Sequence, residues 1–226
     1  MASFRKAVEL GATFIETDLR LSHDARFVAI HDATLDRTTN GRGLVRDFTL
    51  EQLRELDAGS WYGPEFAGER IPTIGEILTF AREADIVFYL EIKHDAAAWG
   101  MHHGLAAALL AAGEAARTVV ISFDPRILEN LRRLDATQLT GLLFEQPLEN
   151  PVEAALKVGA RQLAPRADLV TPEFMREAHD AGMQVVAWTV DEPEQMRALI
   201  AAGVNGIMTN YPDRLRDEIR ELFPAN

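Results

Sequence analysis

Phe14-Ile15-Glu16-Thr17-Asp18-Leu19 decides the reading of this chain. Side chains alternate faces along a strand, so Glu16 and Asp18 point one way while Ile15, Thr17 and Leu19 point the other. Two carboxylates side by side repel unless a cation sits between them. A second stretch, Glu91-Ile92-Lys93, again sets two charges on one face at the end of an apolar run. Between them lies Phe27-Val28-Ala29-Ile30-His31-Asp32, which closes on a base and an acid. The pattern points to a divalent metal with an acid–base histidine at one end of a sheet or barrel.

Outward from that strand, two kinds of element alternate. Helical spacing through Phe4, Val8 and Leu10 stops at Gly11, and strands are expected over 14–21 and up to His31. Residues 32–70 are weakly periodic, with a short helix near 50–56 that Thr49 caps. From Ile71 the beat is regular. Helices are predicted near 73–83, 101–112, 125–134, 151–158, 172–181, 192–202 and 212–223. Strands are predicted near 86–92, 118–122, 140–144, 162–165, 184–188 and 206–208. Thr73 with Glu76 makes a capping-box pattern, and Pro125 after Asp124 suits a first helical turn.

Such alternation predicts a parallel sheet covered by helices. The chain carries no glycine-rich dinucleotide fingerprint and no P-loop lysine motif. Glu16, Asp18, His31, Glu91, Lys93 and Trp188 fall near the ends of different strands, which favours a closed (β/α)8 barrel over an open sheet. Seven strands are expected in the wall, one short of eight, with 27–30 as an extra hairpin arm. A single domain over residues 1–226 is expected, since no low-complexity linker interrupts the rhythm.

Composition narrows the chemistry. The absence of cysteine rules out a disulfide scaffold, a thiolate nucleophile and a cysteine-ligated metal centre. A formal net charge of -12 argues against nucleic acid and anionic membranes as nonspecific partners. A phosphorylated substrate remains compatible, because a metal reverses the local sign. No apolar run is long enough to span a bilayer, and a cytoplasmic location is expected.

Several further motifs stand in order along the chain. They include His31-Asp32-Ala33-Thr34-Leu35-Asp36-Arg37-Thr38-Thr39, Leu56-Asp57-Ala58-Gly59, Ile71-Pro72-Thr73, Ala187-Trp188-Thr189-Val190 and Gly206-Ile207-Met208-Thr209-Asn210-Tyr211-Pro212. With Glu16-Thr17-Asp18 and Glu91-Ile92-Lys93, the whole chain closely resembles the glycerophosphodiester phosphodiesterase family. The resemblance implies a TIM (β/α)8 barrel of the phospholipase C-like phosphodiesterase type, with residues 32–70 as a small insertion after the second strand. It implies metal ligation by Glu16, Asp18 and Glu91, an acid–base role for His31, a phosphate contact for Lys93 and a substrate contact for Trp188. The expected reaction is metal-dependent hydrolysis of a small-molecule glycerophosphodiester to sn-glycerol 3-phosphate and an alcohol, with Mg²⁺ or Ca²⁺ as cofactor. A cyclic intermediate formed by the substrate's own glycerol hydroxyl fits that chemistry.

One departure bears on activity. The family opens with a strand ending in His-Arg-Gly, whose histidine is the second acid–base partner and whose arginine contacts phosphate. That segment is not among these 226 residues, so the first barrel strand is expected to be lacking and turnover impaired. A start placed at an internal methionine, a shortened product and an altered relative all fit that departure. An inactive barrel that binds phosphodiesters or a protein partner also stays open, as does a phosphodiesterase of different head-group preference. Ordinary readings stand beside the sharp ones. Lys93 can simply neutralise Glu91, Trp188 can be packing, and Asp32 can orient His31 or cap a turn. Arg37 is expected to shape the insertion, and His94, His102 and His103 to be solvated positions near a helix start.

Overall fold

The computed structural model describes residues 1–93 and 101–224. The chain opens with α1 (Ala2–Glu9), β1 (Phe14–Leu21), β2 (Phe27–Ala29), α2 (Leu50–Glu55), α3 (Ile74–Glu83) and β3 (Val87–Ile92). It continues with α4 (Met101–Ala112), β4 (Thr118–Ser122), α5 (Pro125–Leu134), β5 (Leu139–Phe144), α6 (Pro151–Lys157) and β6 (Gln162–Pro165). Last come α7 (Pro172–Asp180), β7 (Gln184–Ala187), α8 (Pro193–Ala202), β8 (Gly206–Ile207) and α9 (Pro212–Leu222).

Local chemistry sets these boundaries. Thr73 caps α3 with a reciprocal box, its hydroxyl accepting from the Glu76 N–H while the Glu76 carboxylate accepts from the Thr73 N–H. Thr49 and Gln52 make the same box at α2. Asp124 and Thr171 accept from the first turns of α5 and α7, each followed by a proline whose missing N–H costs nothing there. Gly11, with φ at +94°, turns the chain out of α1 in a conformation that L side chains resist. The predicted elements therefore appear in order, with ends that move by a residue or two. The second strand differs most. It ends at Ala29 rather than at His31, because the chain bends away from the ladder after Ile30 donates to the Asp18 carbonyl.

The contacts divide the chain into two compact units, Met1–Lys6 with Phe14–Val119, and Ala7–Thr13 with Val120 onward. In the first unit, β1 pairs in parallel with β3 and antiparallel with β2, in the order β2-β1-β3. That antiparallel pair is the hairpin arm expected from the sequence. Phe4 of α1 packs edge-on against Phe88 of β3, ring centroids 5.2 Å apart. Leu35, Val45 and Leu53 of the insertion pack with Val28, Ile30 and Ile71 in one buried cluster. Burying each such side chain is worth roughly 1.5–3 kcal/mol, which lets a segment with little regular structure hold its shape. Its exit is stitched back to the arm, since Ala29 N–H donates to the Pro72 carbonyl at 2.8 Å.

In the second unit, β5, β6, β7 and β8 pair in parallel in chain order. Leu142, Leu163 and Val185 come from three successive strands and pack with Phe174 and Met175 of α7 in one buried cluster. Helices between neighbouring parallel strands are the connection such pairing requires.

Candidate active site

The site begins with the register of β1 on β3. Asp18 pairs with Glu91 and Glu16 with Tyr89, so the three carboxylates stand on one face of the parallel pair. One oxygen from each of Glu16, Asp18 and Glu91 lies within 4.8 Å of the others. Lys93, just past the end of β3, sets Nζ 2.8 Å from Asp18 Oδ1 and 2.7 Å from Glu91 Oε1. The second contact is an ion pair without hydrogen-bond alignment, as Glu91 Oε1 has no aligned donor. Lys93 therefore serves both strands rather than Glu91 alone.

Glu16 is the carboxylate this pairing leaves over. Its Oε1 is buried and has no hydrogen-bond partner. Burial pushes its pKa up to about 8, helped by the Asp18 and Glu91 charges and opposed by Lys93. Burial likewise raises the Glu91 carboxyl, opposed by the adjacent Lys93 ammonium. For Lys93 burial acts downward, but Asp18 and Glu91 outweigh it and hold the ammonium above its ordinary pKa. A buried acceptor without a donor is costly, on the order of 1–3 kcal/mol. A hard divalent cation among three carboxylate oxygens relieves that cost and the mutual repulsion together, so the residues present fit such an ion. The all-oxygen donor set suits the hard cations Mg²⁺ and Ca²⁺ alike.

His31 follows β2 by two residues, and its main chain is anchored from β1. The Arg20 guanidinium donates twice to the His31 carbonyl, at 3.0 and 2.8 Å. The ring is largely exposed, with Nδ1 2.8 Å from Asp32 Oδ1. Arg37 forks onto the same carboxylate, Nε to Oδ2 at 2.7 Å and Nη2 to Oδ1 at 2.9 Å. The Arg37 bonds, with the His31 bond behind them, hold the Asp32 carboxyl well below the usual carboxylate range.

Trp188, in the second unit, directly follows β7. Its Nε1 donates to the Ala164 carbonyl at 2.7 Å, and its ring meets Phe123 edge-on with centroids 5.6 Å apart. The indole is half-buried, and Phe123 is exposed. Asp191 accepts from Thr209 and Asn210 and so ties the loops after β7 and β8 together. His94 and the side chain of His102 lie outside the described residues, and His103 is exposed on α4. The structure thus brings Glu16, Asp18, Glu91 and Lys93 into one cluster. It adds Asp32 and Arg37 to His31, which decides for Asp32 as a partner of the ring and gives Arg37 a contact beyond shaping the insertion. The signal was present in His31-Asp32 and an arginine five residues on, but only the turn after Leu35 brings them together.

Alternating parallel strands and helices with three clustered carboxylates at a strand end define an α/β protein whose acidic cluster fits a divalent cation. Comparison with known proteins narrows the class. The model of the glycerophosphoryl diester phosphodiesterase family matches residues 1–214, and the chain belongs to that family. A glycerophosphodiester phosphodiesterase of Caldanaerobacter subterraneus subsp. tengcongensis is 38% identical over 222 residues, 98% of this chain and 91% of the relative. One of Bacillus subtilis is 32% identical over 230 residues, covering 93% of this chain and 78% of the relative. Among solved structures, an Oleispira antarctica phosphodiesterase in complex with the product sn-glycerol-3-phosphate superposes with a TM-score of 0.87 at 25% identity, covering 96% and 89% of the two chains. The fold is accordingly of the TIM (β/α)8 class. No helix among the described residues is long and apolar enough to cross a membrane.

Proposed function

We propose that this chain hydrolyses glycerophosphodiesters to sn-glycerol 3-phosphate and an alcohol, using a divalent cation held by Glu16, Asp18 and Glu91. The observation that carries the reading is the orphaned, buried Glu16 Oε1 facing two further carboxylates, in a member of this family. The names of the relatives and the product bound to the Oleispira enzyme support the same substrate class. The 226 residues act as one catalytic domain, which accords with a family match unbroken from residue 1 to 214.

A bound divalent cation would supply Lewis-acid polarisation of the phosphoryl group. The chain's own groups do the rest. Lys93 presents a fixed ammonium that stabilises charge building on the phosphoryl oxygens. His31 moves a proton to or from the reacting oxygens through its outward ring nitrogen. Trp188, braced by its bond to Ala164, lies against the glycerol or head group. Of the two acid–base histidines that the resemblance implies, these residues supply His31. A cytoplasmic setting accords with a chain free of cysteine, and the charge of -12 with a partner that is no nucleic acid.

The test is release of glycerol 3-phosphate from glycerophosphocholine by the 226-residue chain, with Mg²⁺, with Ca²⁺ and with chelator. Its folding is checked by a thermal transition. The same assay is run with a strand ending in His-Arg-Gly added ahead of Met1. The expected result is turnover that needs the metal, is raised by the added strand and disappears in Glu16→Ala. Turnover untouched by chelator and by Glu16→Ala would sink the assignment.

A further inference from the structure

We propose that Asp32 and Arg37 are positioning residues for His31. They form a guanidinium–carboxylate–imidazole chain that fixes the ring's tautomer and leaves Nε2 as the proton-transfer atom. The inference rests on the proposed acid–base role of His31. Its geometry stands in three converging bonds on one carboxylate, 2.8 Å from His31 and 2.7 and 2.9 Å from Arg37. An exposed single ion pair holds little on its own. Here the guanidinium meets the carboxylate through two parallel N–H bonds, the arrangement that fixes orientation as well as charge. Asp32 is also the least exposed of the three, at 25% for its side chain against 64% for His31 and 56% for Arg37.

The chemistry follows from donors and acceptors. An ionised Asp32 only accepts, so His31 Nδ1 is the protonated nitrogen of the neutral ring and Nε2 keeps its lone pair. A base needs that lone pair, and an acid formed from it returns the proton at the same atom. Asp32 stabilises the imidazolium in between. Arg37 keeps Asp32 a carboxylate, so the proton stays on the imidazole instead of crossing to the acid. Arg20 donates to the His31 carbonyl and so holds the main chain while Asp32 holds the side chain. Ring and backbone are thereby fixed from two different elements, β1 and the turn after Leu35.

The experiment is imidazole ¹⁵N NMR on the metal-free 226-residue chain, at a pH where the ring is neutral. His31 is assigned by its loss in His31→Gln. The expected wild-type ring is the Nδ1–H tautomer. Asp32→Ala converts it to the Nε2–H tautomer that free imidazole side chains favour, and Arg37→Gln gives a mixture that Arg37→Lys only partly restores. Thermal melts within about 4 °C of wild type show that the variants remain folded. In the chain carrying the added His-Arg-Gly strand, Asp32→Ala lowers kcat about 10²-fold while KM stays within about twofold, as for loss of acid–base competence. A wild-type ring already in the Nε2–H form, a tautomer unmoved by Asp32→Ala, or a kcat within about twofold of wild type overturns the proposal. If the tautomers behave as expected but no form of the protein hydrolyses a glycerophosphodiester, the substrate reading falls and the positioning chain stands.

Discussion

Metal binding to this site is expected to release a proton, and the amount is set by Glu16. Its carboxyl titrates at about 8 in the metal-free protein because it is buried among like charges. A metal ligand must be ionised, so any proton held there leaves when the ion enters. At pH 7 a group titrating one unit higher is about 0.9 protonated, and at pH 9 about 0.1, so these are the protons expelled per ion. Apparent affinity then rises about tenfold per pH unit below 8 and levels off above it, close to ninetyfold in all between pH 6 and pH 9. Burial raises Glu91 in the same direction. Titration calorimetry with Mg²⁺ or Ca²⁺ in two buffers of different ionisation enthalpy reads the proton count directly. A flat affinity from pH 6 to 9 with no proton released at pH 7 would refute the account of Glu16 as a cation ligand burdened by its neighbours.

The same group sets stability. Its folded pKa lies above the unfolded value of 4.5, so its contribution is whole below that value and is lost as pH rises towards about 8. The metal-free melting temperature is therefore expected to fall across that window, and Glu16→Gln to flatten the fall; parallel curves for the two proteins would count against it. Lys93→Met leaves Asp18 and Glu91 facing each other without their shared ammonium. Its metal-free form should melt lower than wild type and gain more from added Mg²⁺ or Ca²⁺, and an unchanged melt would show that the ion pairs contribute nothing. Thr73→Ala removes the α3 cap and should cost about 1 kcal/mol, a shift of roughly 2–4 °C, with metal affinity intact. Trp188→Ala should raise KM for glycerophosphocholine more than it lowers kcat, and an unaltered KM would return the indole to a packing role.

Much of the fold was legible because its punctuation is local. Thr73 with Glu76, Asp124 with Pro125 and Thr171 with Pro172 each satisfy free N–H groups within one turn, so the sequence around them carries the helix start. Strand ends were less legible. Whether a residue stays in the ladder depends on its neighbour, and after Ile30 the arm leaves β1 although Ile30-His31 reads as strand. The acidic cluster was visible in outline, since alternation alone puts Glu16 with Asp18. The double pairing of Lys93 was not, because its reach to Asp18 depends on which residues β1 and β3 place side by side. Arg37 was missed for a similar reason. Four residues lie between it and Asp32, and no periodicity governs a turn.

The register of β1 on β3 is the feature on which the site depends most. Asp18 opposite Glu91 puts two acids from different strands on one face, and Glu16, two residues back, joins them by alternation. A slip of one residue would turn Glu91 to the other face and carry Ile92 into the cluster. Apolar packing guards against that slip, since Leu19 and Ile15 on β1 and Phe88, Leu90 and Ile92 on β3 are all buried and would be displaced with it. The carboxylates themselves oppose the register they need, because each metal-free strand brings charge towards charge. Lys93 offsets part of this repulsion, and Glu16 offsets more by keeping its proton to about pH 8. The metal-free site is thus held together by the core beneath it and left short of one positive charge centre. That shortage is what a divalent ion supplies, and it makes the predicted proton release and the predicted loss of stability with rising pH two readings of a single imbalance.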